Sequence, residues 1–287
     1  MKYYNRDGKL VENKDYLNEV LKKAYSSNVG TKFIRSMTHP SITKASGKIL
    51  NSKLSKLLIV PFLNMSNIDM NEYEDKEYTS YNDFFTRKIK PHARNFSDKQ
   101  SDLCAPCDGK LSVFRIDNNC EINIKNSIYS LESLLKNKAL AKRFELGYVA
   151  VFRLSVDNYH RYSYIDSGDK SRNISIPGRF YSVDPAVLEK VKVFKENQRE
   201  YCVIKTENFG TIIQMEVGAT MVGKIHNFHE EKKVKRGEEK GYFEFGGSTI
   251  VLIFEKNTVE FYEKYINPTY EHQVNMGDVI GVGVDKK

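Results

Sequence analysis

The feature that limits the fold most is a succession of short apolar runs after Pro91. They read "GKLSVFRI", "CEINI", "YVAVFRLSV", "NISIPGRFYSV", "EYCVIKT", "GTIIQMEVG", "GYFEF" and "STIVLIF". Each is rich in β-branched or aromatic residues, too short for a stable helix, and bounded by Gly, Pro, Asn or Asp, so each is expected to be a strand. One helical segment, "SLESLLKNKALAKRF", interrupts them. Two late segments, "KVKRGEEKGYF" at 233–243 and "QVNMGDVIGVG" at 273–283, share a valine, a Gly followed by an acid, and a return strand. That echo predicts hairpins of a barrel-sandwich type with rough internal symmetry.

Upstream the pattern is helical. "NKDYLNEVLKKAYSSNVG" opens on an Asn13 cap, sets Leu17, Val20, Leu21 and Ala24 on one face, and runs toward Gly30. A second helix is expected after Pro40 through "SITKASGKILNSKLSKLL", and "SYNDFFTRKIK" reads as a short third that docks Phe84 and Phe85 into the core. No low-complexity linker intervenes. The expected fold is therefore α+β, with a helical N-terminal lobe (1–95) packed on a β-rich, barrel-sandwich-like body (96–287).

A chain of 287 residues buries a sizeable core without staples. Lys and Arg number 45 against 37 Asp and Glu, a formal charge of +8 that favours anionic partners. No groove-reading or base-stacking motif accompanies the charge, so nucleic acid is not the expected partner. "LLIVPFLNM" at 57–65 is far below the roughly 18–20 apolar residues that span a bilayer. The N-terminus lacks the apolar core of a secretory signal, so a cytoplasmic location is expected, with peripheral membrane attachment open. Reduced thiols follow for Cys104, Cys107, Cys120 and Cys202. Cys104 and Cys107 have the spacing of a zinc half-site or redox pair, but no second pair completes four ligands, so buried thiols and no metal are expected.

The chemistry concentrates where Gly246, Gly247, Ser248 and Thr249 separate two apolar strands. The plain reading is a hairpin turn that uses glycine's positive φ. The sharper one is a self-cleavage bond at Gly247–Ser248, because a serine hydroxyl attacks the preceding carbonyl only where the backbone tolerates unusual dihedrals. That reading needs a base and an orienting group. Asp108 lies in the turn "PCDGKL" and His160 lies past a strand end in "DNYHRY". Asp157, three residues before His160, competes with Asp108 as the orienter. His226 and His229 read as turn residues, and His39, His92 and His272 have no evident partner.

Together these stretches resemble the phosphatidylserine decarboxylases, pyruvoyl-dependent enzymes that make phosphatidylethanolamine. "YTSYNDFFTRKIKPHAR" at 78–94 is similar to the family's helix before the catalytic body, "PCDGKL" to its aspartate turn and "DNYHRY" to its histidine strand. "VGATMVGKI" at 217–225 and "VKRGEEKGYFEFGGSTIVLIF" at 234–254 are similar to its processing region. The resemblance implies a triad in which Asp108 orients His160 and His160 takes the proton of Ser248. Ser248 would then attack the Gly247 carbonyl, elimination from the resulting ester would leave dehydroalanine at 248, and loss of ammonia would turn it into a pyruvoyl group as covalent cofactor. The fragments 1–247 and 248–287 would stay together as a heterodimer, with higher homo-oligomers open. The pyruvoyl carbonyl would take the substrate amine as a Schiff base and accept the electrons released with carbon dioxide. His160 would return the proton. The chain has Ser163 where the family commonly has a second histidine, so one histidine would serve both stages. The resemblance implies phosphatidylserine on an anionic membrane surface as the partner, at the cytoplasmic face of the cell membrane. Alternatives are another pyruvoyl-dependent amino-acid decarboxylase and a lipoyl-like binding module without enzymatic activity.

Overall fold

The computed structural model describes residues 2–12, 47–66, 68–124, 127–179, 181, 193–218, 224–246 and 248–284. The expected helix at 13–30, His39 and Gly247 lie outside the described residues, as do 219–223 of the processing region.

Strands dominate, as the short apolar runs require. The largest sheet has 11 strands. At its centre the strand Ser248–Phe254 is hydrogen-bonded antiparallel on one side to Thr211–Gly218 and on the other to Tyr148–Leu154. Beyond Thr211–Gly218 come Arg199–Thr206, Gly168–Lys170 and Lys232–Val234; beyond Tyr148–Leu154 come Gly109–Arg115 and Glu271–Val274. The residues of Ser248–Phe254 are buried throughout, and a strand covered on both faces reads as a continuous apolar run rather than an alternating one.

The echo between the two late segments is real, but neither forms a hairpin. Lys232–Val234 pairs with Gly168–Lys170, whereas Glu239–Phe243 enters a separate three-stranded sheet between Ile225–Asn227 and Arg161–Ser163. Likewise Glu271–Val274 pairs with Gly109–Arg115, whereas Val279–Gly283 lies between Val259–Phe261 and Asp102–Cys104. Each turn carries the chain around a corner from one sheet to the next. The corners match bond for bond. Lys235 N–H donates to the Glu238 carboxylate (2.9 Å) and Asn275 N–H to that of Asp278 (2.8 Å). Gly237 and Gly277 both have positive φ, which the tight corner demands of glycine. Gly237 N–H donates to Tyr164 O and Gly277 N–H to Ala105 O, each at 2.9 Å. Both return strands carry an irregularity in register, at Glu239/Gly241 and at Val279/Gly281. The body is thus a two-fold internal repeat of sheet corners, with no closed barrel among the described residues.

Among the described residues helices are few and short, and the fold is α+β. Ser130 caps Leu131–Leu135, and the predicted helix breaks at Lys136, which takes a left-handed conformation. Asn137 then caps Lys138–Arg143 by accepting from Leu140 N–H at 3.0 Å. In the N-terminal region a 3-10 turn at Lys53–Leu58 leads into the helix Ile59–Met65, where Pro61 falls in the first turn and removes no helical bond. The helix Tyr81–Phe85, capped by Ser80, packs Tyr81, Phe84 and Phe85 against Leu50, with Phe62 and Phe245 at the edge of the cluster. The expected docking of Phe84 and Phe85 is met. One element had no sequence signal: Lys2–Tyr4 and Leu10–Glu12 form a hairpin that extends the large sheet beside Glu271–Val274.

Candidate active site

Ser248 opens the central strand, opposite Leu154 and Gly218. Its hydroxyl is fully buried and has no hydrogen-bond partner among the described residues. A buried hydroxyl without a partner carries an uncompensated desolvation cost of about 1–3 kcal/mol, an expense more characteristic of a reacting group than of packing. The approach to it is shaped by Gly246, whose φ of 140° lies where side-chain-bearing residues rarely go. The helix Tyr81–Phe85 holds that approach: Asn82 Oδ1 accepts from Phe245 N–H at 2.9 Å, and the Phe245 ring lies edge-on to Tyr81 and Phe85.

His160 is also fully buried, and the Phe85 ring packs on its imidazole with centroids 4.2 Å apart. His160 Nδ1 lies 2.9 Å from the Asn158 carbonyl oxygen. A carbonyl only accepts, so Nδ1 carries the hydrogen and Nε2 presents its lone pair. Among the described residues Nε2 has no partner in hydrogen-bonding geometry. Burial lowers the imidazole pKa to about 3; the nearby Arg87 charge adds to that, while the Asn158 and Gly246 backbones oppose it. The ring is therefore neutral at physiological pH and has the tautomer of a base.

Asp108 stands differently. Arg94 donates to it twice, from Nε (3.0 Å) and Nη2 (2.9 Å), and Met276 N–H donates to Oδ1 at 2.8 Å. Burial opposes the Arg94 charge, but its bonds to Asp108 and Glu72 raise its pKa overall. No hydrogen bond joins Asp108 to His160 among the described residues; the orienting contact expected of it is made by the Asn158 carbonyl. Asp157 is exposed in the turn after Tyr148–Leu154 and makes no such contact either.

The remaining candidates lie elsewhere. His226 Nε2 is 2.7 Å from Glu244, and His229 lies 3.3 Å from the Tyr164 hydroxyl. His272 stacks on Tyr4. Cys104 and Cys107 are buried free thiols, and burial pushes the Cys107 thiol well up, away from the reactive thiolate. No cluster of metal-ligating side chains occurs among the described residues. Sequence reasoning missed Arg94, Asn82 and the Asn158 carbonyl. The only available signal was chemical: a buried carboxylate such as Asp108 requires a cation or several donors.

The family model for phosphatidylserine decarboxylase matches residues 81–282, from the docking helix to the last strand. The chain is 44% identical over 283 residues to phosphatidylserine decarboxylase proenzyme 2 of Clostridium acetobutylicum, covering 97% of each chain. It is 40% identical to the phosphatidylserine decarboxylase proenzyme of Clostridium tetani and 39% identical to that of Clostridium perfringens, covering at least 98% of each chain. With Ser248 and His160 both buried and both inside the matched span, the chain belongs to the phosphatidylserine decarboxylase family.

Proposed function

We propose that this chain is a self-processing proenzyme that decarboxylates phosphatidylserine to phosphatidylethanolamine and carbon dioxide, with a pyruvoyl group made from Ser248. The observation that carries the reading is the pair of unpartnered buried atoms, Ser248 Oγ and His160 Nε2. His160 Nε2 takes the Ser248 proton, and Oγ attacks the preceding carbonyl. The carbonyl–nitrogen bond breaks, and the acyl group passes from nitrogen to oxygen. Asn158 O holds the imidazolium through Nδ1–H as the charge develops. Removal of the Ser248 α-proton then expels the Gly247 carboxylate, and the dehydroalanine left at 248 takes up water and releases ammonia to give the pyruvoyl carbonyl. Asp108 acts by position: it ties the turn before Gly109–Arg115 to Met276 and Arg94.

The fit of a pyruvoyl group at 248 is supported by the burial of Ser248 Oγ without a partner among the described residues, so that a carbonyl there would need no hydrogen bond removed. Such a group supplies an electrophile for the substrate amine and a sink for the electrons of the departing carboxylate. His160, kept neutral by burial, is the base in processing and the carrier of the returned proton. Cleavage would leave Ser248–Phe254 hydrogen-bonded between two strands of the larger fragment, so the pieces stay together as a heterodimer.

Membrane attachment is supported by the surface of the N-terminal region. Leu54 (79% exposed), Leu57 (77%) and Met65 (88%) project from Lys53–Met65, with Leu58 and Val60 also exposed. Lys53 and Lys56 stand among them, so the patch combines apolar anchors with cations suited to an anionic leaflet. No described helix is long and apolar enough to cross a membrane. Sedimentation with anionic vesicles is expected to fall several-fold in Leu54→Ser/Leu57→Ser. Undiminished binding would remove the patch from this role.

The deciding experiment is mass measurement of the purified protein beside Ser248→Ala. Wild type should give two chains separating at Gly247–Ser248, with the smaller blocked by a carbonyl at its N-terminus. Ser248→Ala should remain one chain and release no carbon dioxide from phosphatidylserine. Cleavage of that variant at the same bond would overturn the mechanism.

A further inference from the structure

Arg87 is a buried cation that the processing chemistry leaves unused. It is 2% exposed, yet its Nε and Nη1 have no hydrogen-bond partner among the described residues. Nη2 donates to the Tyr73 hydroxyl at 3.2 Å, and the guanidinium lies over the rings of Tyr73 (4.3 Å) and Phe84 (5.0 Å). No carboxylate pairs with it among the described residues. A buried charge held only by ring faces and one phenol is incompletely compensated.

The unsatisfied side chain lines a cavity of about 200 Å³, whose wall also includes Glu74, Lys76, Asp83, Lys88 and Arg161. The other charges there are largely committed. Lys76 pairs with Asp83, and Arg161 pairs with Glu239 while donating twice to the Thr86 carbonyl. Glu74 shares the wall and leaves Arg87 unbonded. The cavity adjoins the reacting centre through the chain itself: Phe85 packs on His160, and Thr86 and Arg87 follow it. The Arg87 charge reaches the His160 ring.

We propose that Arg87 is the anion anchor of the substrate head group and that the oxyanion it grips is the phosphodiester; this rests on the decarboxylase reading above. Two oxyanions in a phosphatidylserine head group have the required chemistry, the phosphodiester and the carboxylate. The reaction separates them. The carboxylate loses its charge as carbon dioxide departs, so a guanidinium bound to it would stabilise the ground state more than the transition state and slow the step. The phosphodiester keeps its charge throughout. Gripping it holds the substrate in both states without opposing the chemistry, and the free Nε–H and Nη1–H groups supply charge-assisted donors.

The test compares processed wild type with processed Arg87→Met on phosphatidylserine in mixed micelles. KM is expected to rise about tenfold or more while kcat falls less, the pattern of lost uniform binding. Arg87→Lys should lie between them. The product, phosphatidylethanolamine, keeps the diester and lacks the carboxylate, so its inhibition constant should rise by the same factor as KM. A raised KM with unchanged product inhibition would assign Arg87 to the carboxylate and overturn the proposal, as would no change in either constant. If Arg87→Met does not process, wild type alone decides: glycerophosphoethanolamine should inhibit at least tenfold more strongly than ethanolamine, and equal potency overturns the anchor. Wild type that releases no carbon dioxide from phosphatidylserine would instead sink the decarboxylase reading.

Discussion

The two sheet corners share a backbone and differ in chemistry. Aligned on Ala105 and Tyr164, the carbonyls that accept from Gly277 and Gly237, they place Asp108 opposite Ser167 and Ser101 opposite His160. The return strands place Ile280 opposite Lys240. Met276 N–H donates to Asp108 in one corner, and Arg236 N–H donates to the Ser167 hydroxyl in the other at 3.2 Å. Each corner thus contributes one ionisable group to the candidate site and a serine at the other's position. The repeat shares its backbone bonds, and the candidate residues Asp108 and His160 sit where its copies disagree. The copies would also fare differently on cleavage: the corner at 275–278 joins residues from both fragments, while the corner at 235–238 lies wholly in the larger.

The strongest way to break this comparison is to exchange its most unequal pair. Asp108→Asn removes a carboxylate that Arg94 contacts twice, leaving that buried guanidinium with Glu72 alone. Removing one partner of a buried pair costs about 3–5 kcal/mol, and Glu72 holds this loss toward the lower end. Processing is expected to slow by orders of magnitude because the turn before Gly109–Arg115 loosens. Ser167→Ala loses one longer bond at the matching place and should cost about 1 kcal/mol or less, with processing intact. Chemical denaturation and the rate of fragment appearance check both, and equal effects would mean that the corners are not functionally distinct.

A second exchange concerns Lys240 and Ile280, both fully buried. Ile280 shows that the position accepts an apolar side chain. Lys240 instead pairs with Glu216 at 2.6 Å and donates to Asn227 Oδ1 at 2.7 Å, and burial pushes the Glu216 carboxyl up. Lys240→Met alone is expected to destabilise by about 3–5 kcal/mol, because it strands a buried carboxylate, whereas Lys240→Met/Glu216→Leu should return to within about 1 kcal/mol of wild type. Urea midpoints of the single and double variants measure the difference. A double variant no better than the single would show that the pair is needed for more than mutual neutralisation.

What was legible in the sequence divides along the same line. The strands were readable because apolar composition and turn punctuation are local. The echo of valine, glycine and acid was readable too, because both corners need a positive φ followed by an acid that accepts its own turn's N–H. Their destinations were not. Whether Glu239–Phe243 folds back on Lys232–Val234 or leaves for another sheet depends on long-range pairing with Arg161–Ser163. At the site, Ser248 and His160 stood out by residue type and neighbours. The partner of His160 did not, because Asn158 acts through its backbone carbonyl, which every residue has. Nothing in "FFTRKIKPHAR" separates Arg94 and Arg87 from its other cations; burial does so, and burial is set by the tertiary fold.

The finest comparison lies in the corner glycines themselves. Gly237 and Gly277 have φ of +75° and +89°, so alanine at either carries the cost of a left-handed backbone, about 1–2 kcal/mol. Their surroundings differ. A Cβ at Gly277 would sit 2.2 Å from the Asn95 carbonyl oxygen, a backbone atom that moves only if the segment before Phe96 moves with it. A Cβ at Gly237 would meet nothing closer than the Phe96 ring at 3.3 Å, which a small rotation relieves. Gly277→Ala is therefore expected to lose about 1–3 kcal/mol more than Gly237→Ala, as clashes in a packed interior do. Because Met276 precedes Gly277 and donates to Asp108, only Gly277→Ala should also slow fragment appearance. Thermal denaturation and the processing time course on the two variants test both halves of the statement. Equal loss of stability would mean that backbone conformation alone sets the cost, and equal processing would detach the Asp108 corner from the cleavage site.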